Sequence, residues 1–174
     1  VILDMVLNHA FGQSPFVRLY NDGDYGAPTL DNPWLNRVAK HPFNVGYDFN
    51  HESAYTKALM DSVNNYWLTE YKVDGFRFDL SKGFTQTNSG DNVGFWGEYD
   101  ASRIAIWKNM YDQIKENHPE AYLILEHFAD NIEEKELSTH GLMFWGNMNF
   151  DFREIAKGNS WNFEWGYYKT RGWN

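Results

Sequence analysis

Cysteine is absent from this chain of 174 residues. Its absence excludes disulfides, thiolate zinc sites, iron–sulfur clusters and a cysteine nucleophile, but it does not identify the redox compartment. No apolar run approaches the roughly 18 residues that a membrane helix needs, and the first residues lack the charged and cleavable regions of a signal peptide. The sequence therefore predicts no membrane partner and gives no information about location.

Basic residues are also scarce, since 15 Lys and Arg face 24 Asp and Glu and the net charge is -9. A chain of this charge is a poor ligand for a polyanion, so no nucleic acid partner is predicted. With 43% hydrophobic and 22% charged residues, the composition is that of a globular protein with a core.

Aromatic residues, in contrast, are abundant and make up 18% of the chain. Trp and Tyr combine a flat apolar face with a polar edge, which suits amphipathic ligands such as sugar rings. Many of these side chains are expected in the core. Some are expected to line a concave surface.

Hydrophobic periodicity predicts that strands and helices alternate along the chain. Almost continuous apolar runs indicate strands buried on both faces, and the first of them starts at residue 1. Ser53 is the predicted N-cap of the first helix. The predicted elements are a strand at 1–7, a helix at 55–67, a strand at 73–79, a Gly- and Asn-rich loop at 81–99, a helix at 104–114, a strand at 121–126, a short acidic helix at 130–138 and a strand at 142–147.

Residues 8–52 are rich in Gly, Pro, Asn and Asp and show neither the helical nor the strand period. We interpret them as a long loop or a small inserted subdomain. Loops of this length are uncommon in a compact domain unless they are functional, so we expect this segment to cover a binding site.

Alternating strands and helices predict an α/β fold with a parallel sheet and right-handed crossovers. A complete (β/α)8 barrel usually needs about 250 residues. Only four strands are predicted here, and the chain starts without an initiator methionine. Residues 1–174 are therefore expected to be an interior fragment of one barrel domain.

Ionisable residues stand at the ends of the predicted strands, and the carboxyl ends of parallel strands meet at one edge of a sheet. The strand period places Arg77 and Asp79 on one face and Phe76 and Phe78 on the other. Glu126 ends the next strand. Two carboxylates in one pocket indicate retaining glycoside hydrolysis, in which they lie about 5–5.5 Å apart.

The two carboxylates need different pKa values for this reaction. Arg77 is expected to favour the ionised form of Asp79, which is then the nucleophile. Glu126 faces that negative charge in a partly desolvated site, so its pKa is expected to rise. Glu126 is then the general acid/base.

Three ordered segments of this chain resemble the first three motifs of the α-amylase family of retaining, α-glucan-active glycoside hydrolases. The segments are Asp4-Met-Val-Leu-Asn8-His9, then Gly75-Phe-Arg77-Phe-Asp79 with Lys82, then Leu125-Glu126-His-Phe. Their order, spacing and strand context agree, and the resemblance covers residues 1 to about 150.

The resemblance implies the same roles for Asp79 as nucleophile and Glu126 as acid/base. Arg77 is implied to orient Asp79, His9 to donate a hydrogen bond to the bound glucosyl ring, and Lys82 to bind substrate. The same comparison makes Asp4 the structural aspartate of its motif.

The implied fold is a (β/α)8 barrel, of which the chain would supply roughly strands three to six. Residues 8–52 stand where the family inserts a loop domain after the third strand. Asn8 stands where many members bind structural calcium, although it fits equally well as a plain turn residue, and the chemistry requires no cofactor.

This chain departs from the family pattern at two places. It contains no His-Asp pair, the end of the usual fourth motif, whose aspartate is one of three catalytic carboxylates. Many amylases have Lys-His where this chain has Lys82-Gly83, so the calcium contact and the sugar contact of that histidine are not implied here.

The sequence thus predicts an enzyme, as part of its parent protein, that hydrolyses α-1,4-glucosidic bonds in starch-like α-glucans or maltooligosaccharides. An α-glucan transferase or branching enzyme is the first alternative, because it uses the same intermediate. A non-catalytic fragment that at most binds glucan is the second. An open half-barrel exposes edge strands, so homo-oligomers are expected, and the fragment alone is expected to be inactive.

Three further segments are expected to have structural roles. Residues 133–136 are mostly acidic and are expected to form a solvated helix face. The aromatic groups at 144–145 and 161–168 are expected to belong to the core or to an interface rather than to sugar platforms.

Overall fold

The computed structural model of this chain describes residues 1–43, 45–146 and 148–159. The predicted aromatic group at 161–168 lies outside the described residues. The elements in chain order are β1 (Ile2–Met5), β2 (His9–Ala10), α1 (Pro15–Arg18), β3 (Tyr47–Asp48), α2 (Ala54–Glu70), β4 (Gly75–Phe78), a 3₁₀ turn (Ser81–Gly83), α3 (Val93–Gly97), α4 (Ala101–Asn117), β5 (Tyr122–Leu125), α5 (Asn131–His140), β6 (Met143–Phe144) and α6 (Asn149–Ala156).

Four parallel strands form the main sheet in the order β1-β4-β5-β6. Each strand lies beside the next main-sheet strand along the chain, which is the arrangement of a (β/α)8 barrel; a doubly wound sheet reverses its order. In this register Asp4 lies opposite Arg77, and Arg77 lies opposite Ile124. The strand ends therefore meet at one edge, as predicted.

The central strand β4 is buried, whereas β1 is not. Phe76 and Phe78 are 0% exposed, and Phe78 packs edge-on against Trp107 of α4 with ring centroids 5.1 Å apart. The prediction that the first strand is buried on both faces was wrong, since Ile2 is 42% exposed. In the described part of the chain β1 pairs only with β4, so only one side of it is covered.

The two long helices begin at side-chain caps and pack against each other. The Ser53 hydroxyl accepts a hydrogen bond from the Tyr55 amide at the start of α2, as predicted. Asp100 caps α4 by accepting from two amides of its first turn, and α4 ends before Pro119. Within the described residues, no helix combines the length and the apolar character needed to cross a membrane.

Residues 8–52 contain the short elements β2, α1 and β3. The strands β2 and β3 pair antiparallel, so that His9 lies opposite Asp48. Val17, Leu35 and Phe49 of this segment are buried in the same core as the sheet. The segment is thus anchored to the barrel core by its apolar side chains.

The predicted loop at 81–99 contains two short helical pieces, the 3₁₀ turn and α3. The sequence did not predict them because three to five residues are too few to establish a period. The Ser89 amide and hydroxyl donate to the Lys40 carbonyl, at 2.9 and 3.1 Å, and so tie this segment to residues 8–52.

Candidate active site

Arg77, near the carboxyl end of β4, contacts three carboxylates. Its Nη1 donates to Asp4 Oδ1 at 2.9 Å and to Asp79 Oδ1 at 2.7 Å, and its Nη2 lies 3.0 Å from Glu126 Oε2. Although desolvation opposes it, hydrogen bonding to Asp79 and Asp4 raises the pKa of Arg77 above its usual value. The sequence paired Arg77 with Asp79, whereas the structure also brings Glu126 and Asp4 to it.

Glu126 is held at both its backbone and its side chain. Its amide donates to the Phe78 carbonyl at 3.0 Å, which continues the β4–β5 ladder, and its Oε2 accepts from the Leu80 amide at 3.0 Å. Leu80 has a φ of +46°, a left-handed conformation that is uncommon for leucine. This turn therefore aims a backbone donor at the Glu126 carboxylate.

Both carboxylates line a cleft of about 390 Å³. The segment 8–52 contributes Phe43 and Val45 to its wall, and the segment after β4 contributes Trp96. Charged groups thus share this cleft with apolar and aromatic ones, a combination that suits an amphipathic ligand. The lining residues are Phe43, Val45, Asp79, Leu80, Lys82, Trp96, Glu126, His127 and Phe128.

Lys82 lies in this cleft, but its ammonium already has partners. The Nζ atom donates to the Phe128 carbonyl at 3.1 Å and lies 4.0 Å from the centroid of the Trp96 ring. Burial lowers the pKa of Lys82, and the positive charge of Arg103 lowers it further. Lys82 thus ties the segment after β4 to the one after β5.

His9 lies in β2, next to the end of β1. Burial lowers the pKa of His9, while the negative charge of Asp79 acts in the opposite direction. Its Nδ1 lies 3.4 Å from Asn8 Nδ2. The structure therefore places an imidazole within the electrostatic reach of Asp79.

Asn8 is 1% exposed, and its Oδ1 has no hydrogen-bond partner among the described residues. Its Nδ2 lies 3.4 Å from Nε2 of His41 and from Nδ1 of His9, so its neighbours are imidazoles. Calcium requires six to eight oxygen ligands. In the part of the chain that the structure describes, no three His, Asp or Glu side chains form a metal-binding group. Among the described residues, this donor set does not fit calcium.

The expectation of a solvated acidic helix at 133–136 was wrong, because Glu133 is 0% and Glu134 3% exposed. Glu133 accepts from Arg103 at 2.6 and 2.7 Å and lies 2.7 Å from His127 Nε2. Although burial opposes it, the hydrogen bonds to His127 and Arg103 lower the pKa of Glu133 to about 2.

The sequence carried a signal for this buried group. Arg103 falls at the helical spacing of Trp107 and Met110, so a cation stands on the apolar face of α4. A buried guanidinium needs a carboxylate partner. The partner is 30 residues away, and only the α4–α5 packing identifies it.

The aromatic pair at 144–145 divides between two environments. Phe144 packs against the core, as predicted. Trp145 is 38% exposed, and its ring centroid lies 5.4 Å from Cζ of Arg77 and 5.7 Å from the Phe128 ring. Trp145 therefore borders the carboxylate cluster.

Comparison with known proteins identifies the family. The model of the alpha-amylase catalytic domain matches residues 38–171. The chain belongs to the alpha-amylase family. An alpha-amylase, branching enzymes and a pullulanase are among its relatives, and the parallel sheet described above is part of the (β/α)8 barrel of this family.

Two curated members of the alpha-amylase family illustrate the relationship. Alpha-amylase 3 of Dictyoglomus thermophilum is 25% identical in an alignment 142 positions long, and the match covers 72% of this chain and 26% of that protein. The 1,4-alpha-glucan branching enzyme GlgB of Picrophilus torridus is 23% identical in an alignment 179 positions long, and the match covers 95% of this chain and 21% of that enzyme. The chain thus spans about a quarter of these relatives' length or less.

Solved structures of the alpha-amylase family share the fold. Amy13B of Eubacterium rectale superposes with a TM-score of 0.62 at 19% identity, covering 85% of this chain and 31% of that one. The type I pullulanase of Bacillus subtilis, solved with maltose, has a TM-score of 0.53 at 24% identity, covering 91% and 20%. These matches confirm the predicted partial (β/α)8 barrel.

Proposed function

We propose that this chain supplies the nucleophile and the acid/base of a retaining enzyme that hydrolyses α-1,4-glucosidic bonds in starch-like glucans. The observation that carries the proposal is the position of Arg77, whose guanidinium contacts both Asp79 and Glu126 at the ends of neighbouring strands. One guanidinium keeps both carboxylates close together, and a retaining mechanism requires a short separation, about 5–5.5 Å.

In the first step, Asp79 attacks the anomeric carbon and forms a covalent glycosyl ester while the bond to the glycosidic oxygen breaks. Glu126 gives its proton to that oxygen, so the leaving sugar departs as a neutral alcohol. Arg77 holds the Asp79 carboxylate in place through its 2.7 Å contact.

In the second step, the Glu126 carboxylate takes a proton from water, and the oxygen of that water attacks the anomeric carbon. The ester to Asp79 breaks, which restores both carboxyl groups and gives a product with the original anomeric configuration. The reaction consumes one water and needs no cofactor.

His9 and Lys82 are the proposed substrate-binding residues beside this pair, and Asp4 is proposed to hold Arg77 from β1 through the 2.9 Å contact. The apolar side of the cleft, with Trp96 and Phe128, suits the faces of glucosyl rings. We propose maltooligosaccharides and longer α-glucans as substrates. The pullulanase of the same fold that was solved with maltose supports this choice.

The proposal is tested by reducing-sugar release from soluble starch, measured on the protein that carries this sequence within a complete barrel. Asp79→Asn and Glu126→Gln are each expected to lower the rate by about a thousandfold or more, because each removes a group that acts on the reacting atoms. Glu116→Gln, on the exposed face of α4, is the matched control. Full activity in either site variant contradicts the proposal, and glucan binding without turnover favours a non-catalytic role.

Transfer to a second sugar is the other candidate, and the branching enzymes among the relatives support it. A branching enzyme of Arabidopsis thaliana is 34% identical in an alignment 86 positions long, and the match covers 45% of this chain. Transfer uses the same glycosyl ester but replaces water with a sugar hydroxyl. Longer or branched products from one defined maltooligosaccharide identify a transferase, and shorter linear products identify a hydrolase.

A further inference from the structure

A buried chain of hydrogen bonds runs beneath the cleft and ends at Glu126. Glu133 Oε1 lies 2.7 Å from His127 Nε2, and His127 Nδ1 lies 2.9 Å from Ser81 Oγ. Ser81 Oγ donates to the Glu126 carbonyl at 2.8 Å. Ser81, His127 and Glu133 are all at most 1% exposed. These hydrogen bonds therefore link the buried face of helix α5 to the proposed acid/base.

The hydrogen bonds join a serine, a histidine and a carboxylate in the same order as in a hydrolytic serine triad, here Ser81, His127 and Glu133. The burial of these side chains excludes triad chemistry. A triad serine presents its hydroxyl to the substrate, and its histidine takes the hydroxyl proton. Ser81 is 0% exposed, and its hydroxyl points to a backbone carbonyl. This group therefore acts on the structure of the site and not on a substrate.

The series of hydrogen bonds reaches Glu126 through the turn that follows β4. The Ser81 amide and hydroxyl both donate to the Glu126 carbonyl, at 3.1 and 2.8 Å. The preceding residue, Leu80, donates its amide to Glu126 Oε2 at 3.0 Å. Residues 80–81 thus hold Glu126 by its main chain and by its carboxylate, so a movement of Ser81 displaces both.

At Glu133, the end farthest from Glu126, the series of hydrogen bonds is fixed by Arg103. The guanidinium binds both oxygens of Glu133 and also donates to the Lys82 carbonyl at 3.3 Å. The Trp107 indole of the same helix donates to the Ser81 carbonyl at 3.0 Å. Helix α4 therefore fixes the turn 80–82 from below, and His127, the residue after Glu126, connects that turn to Glu133.

We propose that Ser81 and His127 are positioning residues that hold Glu126 in the geometry for proton transfer. This role rests on the proposed function of Glu126 as acid/base. Although His127 borders the cleft, its side chain is 0% exposed, as is Ser81, so neither side chain is expected to contact the substrate. Their effect is expected in the step that needs the proton of Glu126 and not in the binding of sugar.

The first test compares two substrates in the protein with a complete barrel. Cleavage of a maltooligosaccharide needs a proton for its leaving group, whereas α-maltosyl fluoride has a leaving group that departs without one. Ser81→Ala is expected to lower kcat/KM about tenfold on the maltooligosaccharide but less than twofold on the fluoride, because kcat/KM reports formation of the glycosyl ester and not its hydrolysis, in which Glu126 acts as base for both substrates. The KM for the maltooligosaccharide is expected to stay unchanged. Equal losses on both substrates overturn the proposal.

Two matched variants separate positioning from general damage. His127→Asn can keep a hydrogen-bonding group near Ser81 and is expected to retain more activity than His127→Phe, which keeps only the ring. Ser62→Ala removes a serine hydroxyl that bonds within its own helix α2, away from the cleft, and is expected to match the wild type. An equal loss in both His127 variants counts against the proposal.

A second measurement does not depend on turnover. Hydrogen exchange of the Leu80 amide in the 174-residue chain reports its bond to Glu126 Oε2. Ser81→Ala is expected to speed that exchange about tenfold while the amide of Phe76, inside β4, is unchanged. Unchanged exchange at Leu80 overturns the positioning role. If the wild type cleaves neither substrate, the proposed function fails, and this measurement still decides whether Ser81 positions Glu126.

Discussion

At the scale of single residues, the Arg77 guanidinium determines where both proposed catalytic carboxylates lie. Its two terminal nitrogens contact different acids, Asp79 through Nη1 and Glu126 through Nη2. A lysine ammonium is a single point of charge and cannot reproduce this planar fork. The site thus depends on the shape of Arg77 as well as on its charge.

We therefore expect Arg77→Lys to lower kcat/KM on starch about a hundredfold, because small misplacements of reacting groups cost that much. The variant keeps the positive charge, so the loss of kcat/KM reports the geometry of the side chain and not its charge. Arg37→Lys is the control, since Arg37 forms an exposed ion pair with Asp22 away from the catalytic cluster. A loss of less than threefold for Arg77→Lys contradicts the importance of the fork.

A second residue-scale effect concerns buried imidazoles. His51 is 2% exposed and stacks on Phe84 with ring centroids 3.7 Å apart. Burial lowers the pKa of His51 to about 3, against the opposing effect of a hydrogen bond to the Leu7 backbone. Burial, with the charges of His9 and Lys82, lowers the pKa of His41 to about 4. As the pH falls below 6.5, both imidazoles stay neutral in the folded protein, whereas the same histidines take up protons in the unfolded chain.

The sign of the pH effect follows from this difference. Above pH 6.5 neither state binds a proton at His51, so its contribution to stability is constant. As the pH falls from 6.5 toward 3, only the unfolded state is protonated, and stability decreases. Between pH 6.5 and 4.5 we expect a loss of about 2–3 kcal/mol from His51 alone.

The measurement is the free energy of unfolding in urea at pH 7 and at pH 4.5. His51→Phe keeps a stacked ring that cannot take up a proton, so its stability should fall less between the two pH values than that of the wild type. The same decrease in both proteins contradicts the role of His51.

At the scale of elements, the long segments were predictable and the short ones were not. Helices α2 and α4 have enough turns to establish a period, and the Phe76–Phe78 alternation indicated which face of β4 is buried. The cluster of Asp79 and Glu126 followed from parallel strands ending at one edge. The burial of Glu133 could not be predicted, because it depends on Arg103 in another helix.

The 3₁₀ turn also packs closely against the loop after β1. The spacing of residues in the sequence could not predict this contact. A Cβ at Gly83 would lie 2.0 Å from Asn8 Oδ1 and 2.8 Å from His41 Nε2. Only glycine fits between these buried side chains.

Gly83→Ala is therefore expected to destabilise the chain by about 1–3 kcal/mol through overpacking. Urea unfolding at constant pH gives the midpoint and the free energy. Gly97→Ala is the matched control, because a Cβ at that end of α3 meets nothing within 4 Å. Equal stability of the two variants shows that the turn can move away from Asn8.

At the scale of the whole molecule, the main sheet is open. In the residues that the structure describes, β1 and β6 each have a strand partner on one side only. Ile2 and Val6, at and beyond the edge strand, are 42% and 50% exposed. An open strand edge with apolar side chains is a template for pairing with another chain. The 174-residue chain alone is thus expected to associate with itself.

The association is measured as mass by light scattering behind size exclusion at several concentrations. Wild-type chains should form dimers or larger species, because pairing at β1 covers unpaired backbone groups and apolar side chains together. Ile2→Lys places a charge on this edge and is expected to shift the population toward monomer. Ile132→Lys makes the same change at a 68% exposed position of α5 and should leave the mass unchanged. A monomeric wild type at every concentration rejects edge pairing, and equal effects of both lysines indicate that net charge, not the β1 edge, controls association.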